Sequence, residues 1–330
     1  MRQKIYLISL CMGLLFFSFG CARGVIEPQG SEKAINVVTT IYPLADIINE
    51  LGGEKVNVVY LLQAGASPHT YEPTVEQARL VDEALLFIYI GAGLDDWAVK
   101  LAEAAGSELV LLDLSKEVSL AETISYRRLE DNDDQDYLHC EDDDYENEQE
   151  HHDCSYHHGP GDPHFWLDPL VVRDSICPAI YEKLILSAVS EEAYFNERLD
   201  RYQADLTALH EEIEITTASF SGNRFISFHS AWQYFAHRYD LVEVAVIAEF
   251  PGQEPSAGWL AELIKLIERE NIRAIFAEPQ FSSMLAESIA AESGSEVYVL
   301  DPLGGEDLPD RESYLALMRF NLAVFQKALD

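Results

Sequence analysis

Short apolar, β-branched runs alternate with helical spacings of apolar residues along most of the chain. Such runs are typical of buried strands, and their alternation with helices predicts parallel βα units. In the first half the predicted strands are residues 35–39, 56–62, 85–90 and 109–112, with predicted helices at 43–51, 75–83 and 97–105. After Gly222 the pattern repeats, with predicted strands at 225–228, 242–248, 274–277 and 297–300 and predicted helices at 255–270 and 282–293. The sequence therefore predicts an α/β protein with two similar lobes, each built on a mostly parallel four-stranded sheet.

A long helix is predicted between the two halves. Its apolar residues follow alternating steps of four and three, which places them on one face. They are Phe195, Leu199, Tyr202, Leu206, Leu209 and Ile213. The predicted organisation is an N-terminal lobe at residues 34–190, a linking helix at 191–219 and a C-terminal lobe at 220–330.

The first residues have the pattern of an export signal. Arg2 and Lys4 precede an apolar run at residues 5–19 that is too short and wrongly flanked for a membrane-spanning helix. The run ends in Phe-Ser-Phe-Gly-Cys, and small residues before a cysteine are typical of a bacterial lipobox. We expect residues 1–20 to be a signal peptide, Cys21 to carry an anchoring lipid and residues 21–33 to form a tether. Ordinary secretion with cleavage nearby is the alternative.

The composition narrows the class of partner. Hydrophobic residues make up 48% and charged residues 24% of the 330 residues, as in a globular protein, and the formal net charge is −36. This charge argues against binding to nucleic acid or an anionic membrane through a basic face. It suits the attraction of cations, although an acidic protein that is merely soluble has the same balance.

An acidic insert at residues 130–161 interrupts the pattern. It has little apolar content, so we expect it to be disordered. A weak, auxiliary zinc-collecting loop and a solvated charged loop are both consistent with its histidines, which are His139, His151, His152, His157 and His158. Cys140 and Cys154 are candidates for a disulfide in an exported protein, and paired thiolate metal ligands are the alternative.

Candidate metal ligands follow the predicted strands. His69 comes shortly after the second strand, His229 directly after the fifth and Asp301 directly after the eighth, and His164 follows the insert. Ligands bind beyond the carboxyl ends of parallel strands, and imidazole nitrogens with a carboxylate oxygen suit Zn²⁺. Taken singly, each of these residues could instead be structural or mark a turn.

Four segments around these residues resemble the successive signatures of the ZnuA/TroA-type family, the metal-binding solute-binding proteins of bacterial ABC importers for zinc or manganese. The segments read PHTYEP at residues 68–73, DPHFWLDP at 162–169, FHSAWQYF at 228–235 and LDPLG at 300–304. The resemblance runs from about residue 35 to the C-terminus, and the acidic insert is the main departure. Many zinc-binding members have a His-rich loop where this insert lies.

The resemblance implies a site between the lobes, with His69 and His164 from the first lobe and His229 and Asp301 from the second. It implies a rigid linking helix and a monomer that delivers Zn²⁺ to a membrane permease and, through it, to an ATPase subunit. Manganese-type relatives place a carboxylate where this chain has His229, so Zn²⁺ is favoured and Mn²⁺ is the alternative. Glu278, after the seventh predicted strand, is expected to support the ligands or to bind occasionally.

Two other classes of function were weighed. A zinc hydrolase keeps an open metal position for water and needs a general base. A surface adhesin fits an anchored protein but has no residue-level support. Nucleotide chemistry has no motif here, because the chain has no Walker-type loop and Asp96 stands where a dinucleotide loop beginning at Gly91 would need its third glycine. We therefore expect an extracytoplasmic binding protein and not an enzyme.

Overall fold

The computed structural model describes residues 34–106, 108–118, 161–248 and 254–330. They belong to one compact unit, Ala34–Asp330. The predicted signal and tether and almost all of the acidic insert lie outside the described residues, and so do the predictions for Cys21, for Cys140 and Cys154 and for the five insert histidines. Within the described ranges, no helix combines the length and the apolar character that a membrane crossing requires.

The first lobe is a parallel sheet covered by helices. Its strands are β1 (Ile35–Thr39), β2 (Val56–Tyr60), β3 (Leu86–Tyr89) and β4 (Val110–Asp113), in the order β2-β1-β3-β4. Its helices are α1 (Tyr42–Gly52), α2 (Val75–Asp82) and α3 (Asp96–Ala104). Helix α2 begins at a capping box in which Thr74 and Gln77 satisfy each other's backbone N–H groups, so the loop before it ends at a defined residue.

Helices connect the two sheets. Helix α4 (Pro169–Val171) continues through a π-helical turn, Val172–Ile176, into α5 (Cys177–Ser187), and the linking helix α6 spans Glu192–Thr217. All six residues of the predicted apolar stripe on α6 are buried, as the spacing predicted. Cys177, whose side chain is fully buried, is a free cysteine.

The second lobe repeats the first. Its strands are β5 (Arg224–Ser227), β6 (Val242–Val246), β7 (Ala274–Ala277) and β8 (Glu296–Val299), parallel and in the order β6-β5-β7-β8. Its helices are α7 (Gln233–Arg238), α8 (Ala257–Glu270), α9 (Met284–Ser293) and α10 (Tyr314–Leu329). The predicted fold class, two α/β lobes with parallel four-stranded sheets and a long joining helix, is confirmed.

A hydrophobic core continues from one sheet to the other. One cluster of buried side chains includes Leu44 of α1, Leu206 of α6 and Phe325 of α10, so the linking helix is packed into both lobes rather than spanning solvent. Arg198 of α6 also donates a hydrogen bond of 2.7 Å to the carbonyl of Glu50 at the end of α1. Bending this helix would expose apolar surface from both lobes, which favours a rigid joint.

Strand order determines where ligands can bind. In each sheet the first strand lies between the second and the third. The strand order therefore changes direction across the sheet between β1 and β3 and between β5 and β7. Crevices outside the carboxyl ends of strands at such points are the usual ligand sites of open α/β sheets. His229 follows β5 by two residues and Glu278 directly follows β7, so both lie at the reversal point of the second sheet.

Candidate metal centre

Three imidazoles converge in the structure. Nε2 of His164 lies 3.2 Å from Nε2 of His69 and 3.4 Å from Nε2 of His229. Among the described residues, these three form the group of histidine, cysteine and carboxylate side chains whose ligand atoms all lie within 4.8 Å of one another. The sequence analysis selected all three, and the fold brings them together.

A backbone turn and a carboxylate orient His164. Asp162, two residues earlier, accepts hydrogen bonds at one oxygen, Oδ1, from the His164 backbone N–H at 2.9 Å and from Nδ1 at 2.8 Å. The next residues form a 3-10 turn, Phe165–Leu167, whose Trp166 ring centroid lies 5.3 Å from that of His164. Because Nδ1–H donates to Asp162, the lone pair of His164 is on Nε2 and points into the cluster.

Glu278 orients His229 in the same way. Its Oε1 lies 2.6 Å from Nδ1 of His229, and both side chains are buried. Burial by itself lowers the pKa of His229, but the charge of Glu278 and its hydrogen bond outweigh that effect, and the net shift is upward. Phe281 packs edge-on against the imidazole with ring centroids 5.2 Å apart. Glu278 thus lies behind His229, where it can hold the orientation of the imidazole.

His69 comes from the loop after β2. It lies in a 3-10 turn, Pro68–Thr70, and the indole N–H of Trp97 donates a hydrogen bond of 2.9 Å to the carbonyl of Pro68. This bond anchors the turn to α3 across the first lobe. Tyr71 packs edge-on against Trp97 and donates to the carbonyl of Leu61, so it supports the turn from behind. His69 is half-buried, whereas His164 and His229 are buried.

Asp301, which the sequence analysis gave as a fourth ligand, lies outside this group of three. Its Oδ2 forms a 3.0 Å ion pair with Arg311, and its Oδ1 accepts hydrogen bonds from the backbone N–H groups of Leu303 and Gly304 at 3.0 and 3.1 Å. Gln280 Nε2 lies 3.4 Å from the same oxygen. The sequence places Asp301 correctly after β8, and in the structure these donors hold both of its carboxylate oxygens.

The donor geometry fits a tetrahedral metal ion. Nitrogens bonded at about 2.0–2.1 Å to one tetrahedral zinc ion lie about 3.3–3.4 Å apart. The two Nε2 separations of 3.2 and 3.4 Å are close to that edge. Without a cation or a proton between them, lone pairs at this distance repel one another. The set is therefore arranged for an electron-pair acceptor at its centre.

The pocket around the cluster also has unsatisfied polar atoms. Within the described part of the chain, Ser67 Oγ, Glu278 Oε2 and Gln280 Oε1 line it and are buried without a hydrogen-bond partner. Buried polar groups are normally paired, so three unpaired atoms around one small cavity indicate that a polar or charged ligand completes it. The three histidines and this lining together form a candidate cation site.

Several residues of the site were not identified from the sequence. The spacing of Asp162 and His164 could have indicated their contact, because a carboxylate two residues before a histidine can hydrogen-bond to its ring. Gln280, Phe281 and Arg311 lie in loops, and nothing in their local sequence distinguishes them.

Comparisons with known proteins identify the family of this chain. A family model described as zinc-uptake complex component A, periplasmic, matches residues 37–328. The zinc-binding lipoprotein AdcA of Streptococcus pneumoniae is 28% identical over 100% of this chain, which spans 61% of that relative's length. The high-affinity zinc uptake system protein ZnuA of Bacillus subtilis is 26% identical over 98% of this chain and 97% of its own. A crystal structure of ZnuA superposes with a TM-score of 0.74 at 26% identity, covering 90% of this chain and 100% of the other.

Proposed function

The chain belongs to the ZnuA family of periplasmic zinc-uptake components, and on that premise we propose that it captures Zn²⁺ at His69, His164 and His229 and delivers it to an ABC importer. The observation that carries the proposal is the convergence of three Nε2 atoms at the spacing of a zinc coordination sphere. The proposed partners are the permease and, through it, the ATPase. A lipid on Cys21 would hold the protein at the outer face of the membrane.

The donor set supports zinc over manganese. Imidazole nitrogen is a borderline ligand that suits Zn²⁺, whereas Mn²⁺ binds more strongly when carboxylate oxygens take part. Three imidazole nitrogens, two of them on rings oriented by Asp162 and Glu278, favour the softer ion. The sequence predicts Asp301 as a fourth ligand. Asp301 lies outside the group of three, and its role as a ligand stays a prediction.

Family membership favours transport over hydrolysis. Three histidines with a further coordination position are also the donor set of some catalytic zinc sites, so the donor count alone does not separate the two classes. The match to an uptake component extends over both lobes and the helix between them. In a carrier, a site formed by residues from both lobes lets the bound ion stabilise the closed form.

Metal competition on the purified protein tests the proposal. The full-length chain is titrated with Zn²⁺ and with Mn²⁺ against a chromophoric chelator, beside His229→Ala and the control His237→Ala, which changes an exposed histidine of α7. We expect a strong preference for Zn²⁺, a loss of at least about tenfold in zinc affinity for His229→Ala, or roughly 1.4 kcal/mol, and no change for the control. Unchanged zinc affinity in folded His229→Ala, or a preference for Mn²⁺ in the unaltered protein, would overturn the proposal.

A further inference from the structure

Asp301 lies one layer behind the wall of the metal pocket. Gln280, Pro302 and Leu303 line the pocket, and Gln280 Nε2 lies 3.4 Å from Oδ1 of Asp301. The carboxylate is almost fully buried, with 1% of the residue exposed. An anionic oxygen is therefore present behind the wall of the pocket, and it is bound to other groups.

Two hydrogen bonds with Asn321 hold the backbone of Asp301. Its N–H donates to Oδ1 of Asn321 at 2.8 Å, and Nδ2 of Asn321 donates to the Asp301 carbonyl at 2.7 Å. Asn321 is itself fully buried in α10. Because the main chain is held at both polar groups, the position of the carboxylate depends on its side-chain torsions and on the donors that surround it.

Arg311 is the charged donor among them, and the fold positions it firmly. Its Nη1 lies 3.0 Å from Oδ2 of Asp301, and its guanidinium lies 4.6 Å from the ring centroid of Phe320. The backbone of the intervening loop folds back, so that the N–H of Gly305 donates to the Arg311 carbonyl at 3.2 Å. Gly304 has φ of +61°, and a Cβ there would lie 2.7 Å from the same carbonyl oxygen, so this close approach requires glycine.

We propose that Arg311 determines metal specificity by holding the Asp301 carboxylate out of the three-histidine site. This inference rests on the proposed zinc-binding function and adds the reason why the site rejects a harder ion. With Asp301 paired to Arg311, the pocket offers Mn²⁺ three nitrogens and a single carboxylate, that of Glu278, whose Oε1 is already held by His229. Mn²⁺ prefers oxygen donors and gains most from a carboxylate, whereas Zn²⁺ binds well to imidazole.

Removing the cation would change this balance. A buried carboxylate without its partner is strongly destabilised, so it would turn toward any cation within reach. In an Arg311 variant that ion is the metal in the adjacent pocket. Asp301 would then add an oxygen ligand, and the gain would be larger for Mn²⁺ than for Zn²⁺. Arg311 is therefore a positioning residue that acts through Asp301.

The test compares metal selectivity among charge-matched variants. Arg311→Met removes the charge but keeps an unbranched apolar stem against Phe320. The control Arg319→Met removes a charge from α10 at the exposed ion pair with Glu212. Zn²⁺ and Mn²⁺ affinities are measured by chelator competition, and folding is checked by thermal unfolding without metal. We expect Arg311→Met to raise Mn²⁺ affinity at least tenfold, and Arg319→Met to leave the ratio of the two affinities unchanged.

Two further variants make the role of Asp301 decisive. Combining Asp301→Asn with Arg311→Met should abolish the gain in Mn²⁺ affinity, because an amide cannot supply the anionic ligand. Asp301→Asn alone should leave zinc affinity within about threefold. This variant tests whether Asp301 is held out of the zinc site, even if Arg311→Met does not fold. Unchanged Mn²⁺ affinity in folded Arg311→Met, a gain that survives in the double variant, or loss of tight zinc binding in folded Asp301→Asn would each overturn the inference. Failure of the unaltered protein to bind zinc would instead overturn the proposed function.

Discussion

Glu278 directs His229 toward the metal position through a 2.6 Å contact between Oε1 and Nδ1, and its second oxygen is buried without a partner in the described structure. A charged acceptor raises the basicity of the imidazole and fixes its tautomer. We expect Glu278→Gln, which keeps the shape and removes the charge, to weaken zinc binding by about 10- to 100-fold. Glu287→Gln, at an exposed glutamate of α9, is the matched control. Equal zinc affinities for the two variants would contradict this role.

Zinc binding should depend steeply on pH. The pKa of His229 is raised because the effect of Glu278 exceeds that of burial, so protons compete with the metal at a higher pH than they do at an ordinary histidine, whose pKa is about 6.5. Since ligation requires neutral imidazole, affinity should fall as pH drops through the raised pKa of His229, with more than one proton taken up. Chelator competition at a series of pH values measures the slope. A flat profile would argue against a three-histidine site.

Asp46 should make the fold more stable in mild acid. Its carboxylate accepts a 2.7 Å hydrogen bond from the backbone N–H of Tyr314 in the other lobe. Burial raises the pKa of Asp46 from 3.8 to about 6, despite that bond, and the charge of Glu50 adds to the rise. A folded-state pKa above the unfolded value means that the stabilisation is present below about pH 4 and is lost as pH rises through about 6.

The variant Asp46→Asn tests this sign. It keeps the acceptor for Tyr314 but cannot ionise, so its free energy of unfolding should fall less between pH 4.5 and 7.5 than that of the unaltered protein. The difference should be on the order of 2 kcal/mol. Chemical denaturation at both pH values measures it. Asp95, whose pKa burial raises to about 6, is present in both proteins, so some pH dependence should remain. Parallel pH profiles of the two proteins would show that ionisation of Asp46 does not destabilise the fold.

The acidic insert should be dispensable for the tight site. The three converging histidines all lie outside it, and each is positioned by a turn or a carboxylate of the described structure. Deleting residues 131–158 should remove zinc bound beyond one equivalent and leave the tightest site within about threefold, or ~0.7 kcal/mol. Calorimetric titration of the deletion variant measures both quantities. Loss of the tight site in a folded deletion variant would mean that the insert supplies a primary ligand.

The sequence was most informative where local pattern and environment agree. Strands such as Ala274–Ala277 are apolar throughout because both faces of their sheet are covered, so their positions could be predicted. The order of strands could not, because pairing between β1 and β3 depends on contacts distant in sequence. Histidines at strand ends were predicted from the same topology. The partners of Asp301 were not predicted. One of them is Arg311, which lies in a loop, and no local sequence pattern indicates the conformation of that loop.

Trp166 is a fluorescent side chain that lies beside the three-histidine cluster. Its ring lies against His164, and its indole N–H donates a 2.9 Å hydrogen bond to the carbonyl of Pro302, next to Asp301. The emission of an indole depends on neighbouring charge and polarity, and both change when an adjacent imidazole binds a metal ion. The other three tryptophans lie outside the pocket lining. A metal ion bound beside His164 would therefore change the emission of Trp166, and intrinsic fluorescence would report it without an attached dye.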